Sequence, residues 1–210
     1  AAITMGAVTL DDDTVLDSGN GAAGTIALGA VTAQGHSLTL DSGSTAGATL
    51  DLASMADLSG GLTVRDAGGL ATLTDLGGDT AGLVTIDQSR DGVTFAGNLD
   101  ATTLTLTDTT GTITFADGGD VDLTALSTAA QGYDVVIESS TLDVTNATTF
   151  TNTGTLTLGN DAADALTFTG GLTATAVDQV VLGGGTVSTT GANSLSLGDA
   201  NAEAVSVTAD

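Results

Sequence analysis

Ser37-Leu38-Thr39-Leu40-Asp41-Ser42-Gly43-Ser44-Thr45-Ala46-Gly47-Ala48-Thr49-Leu50-Asp51-Leu52 decides the fold. At Leu38-Thr39-Leu40 two apolar residues flank a small polar one. A corner of Asp, Ser and Gly follows, small residues run on, and the unit returns as Leu50-Asp51-Leu52. Alternation with a period of two marks a strand with one dry face and one wet face. Asp and Gly supply the corner, Asp through local side-chain turns and Gly through its tolerance of positive φ.

Working outward, this two-apolar unit occurs sixteen times, from Ile3-Thr4-Met5 to Val205-Ser206-Val207. Thr is the usual centre, as in Leu62-Thr63-Val64, Val84-Thr85-Ile86 and Leu104-Thr105-Leu106. Asp takes that place in Leu50-Asp51-Leu52, Val121-Asp122-Leu123 and Leu142-Asp143-Val144. Leu158-Gly159-Asn160-Asp161-Ala162-Ala163-Asp164-Ala165 leads into Leu166 as Leu40 to Ala48 leads into Thr49 and Leu50. The chain is a degenerate internal repeat. Weaker strand candidates fill the longer gaps, around Leu70 to Thr74, Val135 to Ile137, Val180 to Leu182 and Thr186 to Thr189.

Many short strands at this spacing fit two architectures, a β-sandwich and a parallel β-solenoid. The sandwich calls for hairpin signals and large core side chains. Asn-Gly and Asp-Gly pairs are sparse, and Phe, Tyr and Trp together make up 2% of the chain. A solenoid only a few side chains across needs neither. The sequence therefore predicts an all-β fold, a right-handed parallel β-helix of about ten short-stranded coils. Each coil is roughly 20 residues long, and the hand follows the general chirality of parallel crossovers. Inward Leu, Val, Ile and Ala fill the interior, and outward Thr covers the faces. One stretch, Leu123 to Gln131, could form a short helix or a corner.

The 210 residues read as a single β-solenoid domain over 1–210, with no linker or composition shift. The chain starts at Ala1, so a processed product or a fragment of a longer chain is expected. Net charge is −24, with Arg65 and Arg90 the only Lys or Arg residues. Nothing can neutralise phosphates, so nucleic acid and anionic membrane surfaces are excluded as partners. No apolar run is long enough to insert into a bilayer as a helix. Cys is absent, so there is neither a disulfide framework nor a thiolate metal site. Exposed strand edges at terminal coils invite end-to-end self-association.

Chemistry is sparse. His36, the only histidine, stands in Gln34-Gly35-His36-Ser37, a corner. One His cannot build a His-rich metal site, and a triad needs a partnered nucleophile. Arg65 and Arg90 adjoin Asp66 and Asp91 and read as ordinary surface ion pairs. No cofactor is required. Calcium is the cation to consider, with Asp11, Asp12 and Asp13 and the group Asp117, Asp120 and Asp122 as its weak ligands. Solvated acidic corners are the plainer reading of the same residues. An enzyme reading, a polysaccharide lyase or hydrolase, would rest on Asp120, Asp122 and Asp143. The sequence offers that reaction acids but no clustered cations and few aromatic sugar platforms.

Gly6-Ala7-Val8-Thr9-Leu10, Gly29-Ala30-Val31-Thr32-Ala33, Ser37-Leu38-Thr39-Leu40-Asp41-Ser42-Gly43 and Gly61-Leu62-Thr63-Val64 carry a family resemblance. The chain resembles the repetitive β-helical shafts of large bacterial exoproteins, the filamentous-haemagglutinin type of adhesin and related autotransporter passengers. The resemblance extends over essentially the whole chain and is compositional. The Asn-Pro motifs of the two-partner secretion domain are missing, since the chain has no Pro. The resemblance implies a secreted, non-catalytic shaft, spacer or filament at the bacterial cell surface or outside the cell. The alternative is an adhesin module that grips host or surface glycans, or ice, through Thr-rich faces such as Thr103-Leu104-Thr105-Leu106-Thr107.

Overall fold

The computed structural model describes residues 1–20, 24–198 and 204–207, the last group as backbone only. Among the described residues there are 23 strands and no helix. Every strand pair is parallel, so the chain climbs in one direction. The first face shows this most fully. Ile3 pairs with Ile26, then Leu50, Ala71, Val93, Ile113, Val135, Leu156, Val180 and Val205, which makes nine steps. Successive partners lie 20 residues apart at the shortest, Val93 to Ile113, and 25 at the longest, Val180 to Val205. At about 4.8 Å per step the stack rises roughly 43 Å.

Two further faces complete each coil. The second runs in register from Val8 through Val31, Met55, Leu76, Leu99, Val121, Leu142 and Leu166 to Val187. The third runs from Leu16 through Leu40, Val64, Ile86 and Leu106 to Thr128. A separate sheet of Thr148, Leu172 and Leu195 belongs to the last coils. The architecture is a parallel β-solenoid, as the alternating units predict.

Burial follows the same pattern. In every two-apolar unit from Ile26-Ala27-Leu28 to Leu166-Thr167-Phe168 both apolar residues are buried and the centre is not. The exceptions with described side chains lie in the end coils, at Ile3-Thr4-Met5, Val8-Thr9-Leu10 and Leu195-Ser196-Leu197. There an inward residue has a coil on one side only. The interior is one continuous apolar cluster. Its filling differs from the aliphatic expectation in one respect: all four Phe and Tyr133 are inside. Phe95 and Phe115, partners on the first face, stack with centroids 5.0 Å apart. The Tyr133 hydroxyl donates to the Leu106 carbonyl and accepts the Ala129 N–H, so its polar end is satisfied.

Two local expectations are corrected. Leu123 to Gln131 contains no helix: it starts inside the strand Asp120–Thr128, which bends from the second face to the third and ends in a corner. At that bend one extra residue shifts the inward phase, so buried Leu123 is followed by buried Leu126. Such a three-residue interval imitates one turn of helix. Asp91-Gly92 and Asp117-Gly118 are corners, and the strands beside them pair in parallel.

Candidate functional site

Corners carry most of the acidic residues, and many carboxylates serve the backbone there. Asp17 accepts the Gly19 N–H at 2.7 Å, Asp41 that of Gly43 at 2.8 Å, and Asp161 that of Ala163 at 2.6 Å. Others reach the neighbouring coil, where Asp13 accepts the Ser37 N–H at 2.8 Å and Asp134 that of Thr155 at 2.7 Å. These contacts satisfy backbone donors that a corner leaves without a strand partner.

Asp11, Asp12 and Asp13 do not converge. Asp12 accepts the Asp13 N–H, and Asp13 is occupied by Ser37, whose hydrogen bonds hold its carboxyl below the ordinary range. His36 lies beside it in the next coil, with Nδ1 3.9 Å from the Asp13 carboxylate, the contact of a solvated corner.

Asp117, Asp120 and Asp122 are divided between two places. Asp117 meets Asp161 and Asp164, each offering an oxygen within 4.8 Å of the others. No other such group occurs among the described residues. Asp164 is buried, and one of its oxygens accepts the N–H groups of Asn160 and Asp161, the work of a loop-closing carboxylate. Asp161 and Asp164 come from a corner far along the sequence, and no spacing around Asp117 signals them.

Asp122 lies on the second face instead. It is in register with Asp100 below and Asp143 above, so three carboxylates stack at strand spacing. With Asn98, Asp120, Thr141 and Thr167 they line a groove of about 470 Å³. Desolvation, together with the charges of Asp100 and Asp143, pushes the Asp122 carboxyl above its ordinary range. Asp120 is tied into the corner, taking the Thr141 hydroxyl at 2.8 Å and donating its N–H to Asn98.

The arginines depart from expectation. Arg65 pairs with Asp41 at 2.5 Å and reaches Asp17 at 3.6 Å, one and two coils below, not with adjacent Asp66. It is the extra residue of a bulge, because Asp41 is in register with Asp66. Burial and the nearby Asp41 charge raise the Asp66 carboxyl, against the opposing pull of Arg65. Arg90 forms no ion pair among the described residues. It faces a second, larger groove of about 640 Å³, lined by Ser44, Asp66, Gln88, Asp91, Asp108 and Thr110 among others.

Threonines rank by coil. Thr39, Thr63, Thr85 and Thr105 follow one another in register on the third face, and Thr72, Thr94 and Thr114 on the first. The two-rank pattern of Thr-x-Thr does not persist: Thr112 lies between Gly92 and Asp134, and Thr155 is followed by Gln179. Compared with family models, curated proteins and solved structures, the chain matches none.

Proposed function

We propose that this protein is a non-catalytic structural element, a rigid β-helical rod at the bacterial cell surface or outside the cell. It is either the shaft of an adhesin or a subunit that stacks end to end into a filament. The observation that supports this is the unbroken register of the first face over nine steps. A parallel stack bonds each coil to the next through its backbone, and the continuous apolar cluster couples them through side chains. Load along the axis is then shared by hydrogen bonds and packing at every level. In both forms the outer edges of the end coils are continued by another coil, from the same chain or a neighbour. The family resemblance points to the same setting.

Electron microscopy of the purified chain tests the proposal. Straight rods of one length support a shaft, and fibres that lengthen with protein concentration support a stacking subunit. Compact particles without an axis would overturn both. The glycan- or ice-binding reading draws on the Thr39 to Thr105 rank. Serial truncation in a binding assay separates it from a spacer, since only a binding module loses its affinity at a definite coil. The enzyme reading draws on the stack of Asp100, Asp122 and Asp143. Release of reducing ends from a polysaccharide, abolished in Asp122→Ala, would establish it at the expense of the structural role.

A further inference from the structure

The larger groove lies along the corners that lead from the third face to the first. Ile86 to Val93 and Leu106 to Ile113 are spanned by short corners, whereas Leu40 to Leu50 takes a longer one. That longer corner carries Ser44 to one end of the groove. Asp66, Gln88, Arg90, Asp91 and Asp108 supply most of the remaining polar lining.

These five side chains differ from their counterparts at other corners. Asp13, Asp17, Asp41, Asp57, Asp75, Asp134 and Asp161 each accept a backbone N–H. No hydrogen bond within the described residues engages the side chains of Asp66, Gln88, Arg90, Asp91 or Asp108. Donors and acceptors that the fold does not use are thus gathered in one concavity.

The chemistry of the lining narrows what could use them. Three carboxylates against one guanidinium leave the groove acidic on a chain of net charge −24, which repels phosphates, nucleic acids and acidic polysaccharides. No aromatic or large aliphatic side chain lines it, so an apolar ligand would bury little surface. The carboxylates are not among those that converge as a cation would need. A polycation would be drawn to the whole acidic surface equally, and Arg90 opposes it here. An uncharged ligand rich in hydroxyls is left, because it both donates to carboxylates and accepts from guanidinium and amide groups. We infer that this groove binds a neutral oligosaccharide, with Gln88, Arg90 and Asp108 as its principal hydrogen-bonding residues. The inference is independent of the shaft proposal, since a rod with or without a ligand has the same fold.

The test is retention of the purified chain on immobilised neutral, acidic and amino oligosaccharides, with the neutral ones repeated at raised salt. Retention on a neutral oligosaccharide, insensitive to salt, is expected. Arg90→Ala and Asp108→Asn should each weaken it about tenfold, the loss of a hydrogen bond to a charged group, with unchanged melting midpoints. Thr63→Ala, on the third face, should leave it unaltered. The inference is overturned if no neutral oligosaccharide is retained, if retention disappears with salt, or if Arg90→Ala and Asp108→Asn bind as the parent does.

Discussion

A single carboxylate illustrates how position in the stack sets the behaviour of a residue. Asp122 stands between Asp100 and Asp143, and its carboxyl is raised by burial and by those two charges. Its favourable contribution is fully present below the unfolded value, about 3.8, and is lost as pH rises through the folded one. At neutral pH the ionised group therefore destabilises the fold. Asp122→Asn should unfold at higher denaturant concentration than the parent at pH 7, with the difference vanishing near pH 3. A lower midpoint at pH 7 would contradict the like-charge stack. Asp13 and Asp57 work in the opposite sense, because hydrogen bonds lower their carboxyls. Their contribution is present above the unfolded value and is lost as pH falls through the folded one. In the interior, Phe115→Ala removes a buried ring stacked on Phe95 and should cost about 3–5 kcal/mol in chemical denaturation. The inward place of Phe115 was legible from its alternation with Ile113. The partners of Arg65 and Asp117 were not, because stacking brings together residues a whole coil or more apart while sequence displays only adjacency.

Strands and corners divide the information unequally. The two-apolar units mark strand centres, since period-two alternation has no other economical use. Strand ends are marked only where the chain needs Gly or Asp to turn. Leu99–Thr109 crosses from the second face to the third without either at the bend, so its eleven residues read as separate short units. Corners with close neighbours are more demanding. A Cβ at Gly82 would lie 1.6 Å from the Leu58 carbonyl oxygen in the coil below, whereas one at Gly132 meets nothing within 4 Å. Gly82→Ala must push two backbones apart and should cost about 2 kcal/mol or more. Gly132→Ala should be neutral or stabilise by about 0.4–1 kcal/mol through the unfolded chain. Thermal unfolding of the two variants checks this. Equal melting temperatures would mean that the coils are not seated as described.

Over the whole molecule, one architecture explains the low aromatic content, the threonine faces and the acidic corners together. A narrow interior fills with Leu, Val and Ile and needs only a few rings. Outward β-branched residues suit a pleated surface, and Asp closes corners that lack Pro. Those features were readable because each repeats. The two grooves occur once apiece and arise from corner lengths and side chains in several coils, which no local pattern announces. The rod proposal depends on the coils climbing steadily along a single axis. Cys is absent, so paired cysteines for spin labels can be placed cleanly on the outward rank of the first face. Ala27 and Thr114 are four register steps apart, and Ala27 and Thr157 six. At about 4.8 Å per step, pulsed dipolar spectroscopy should give backbone separations of roughly 19 Å and 29 Å. A distance for Ala27 and Thr157 equal to or shorter than that for Ala27 and Thr114 would mean that the chain folds back on itself, and would contradict the account.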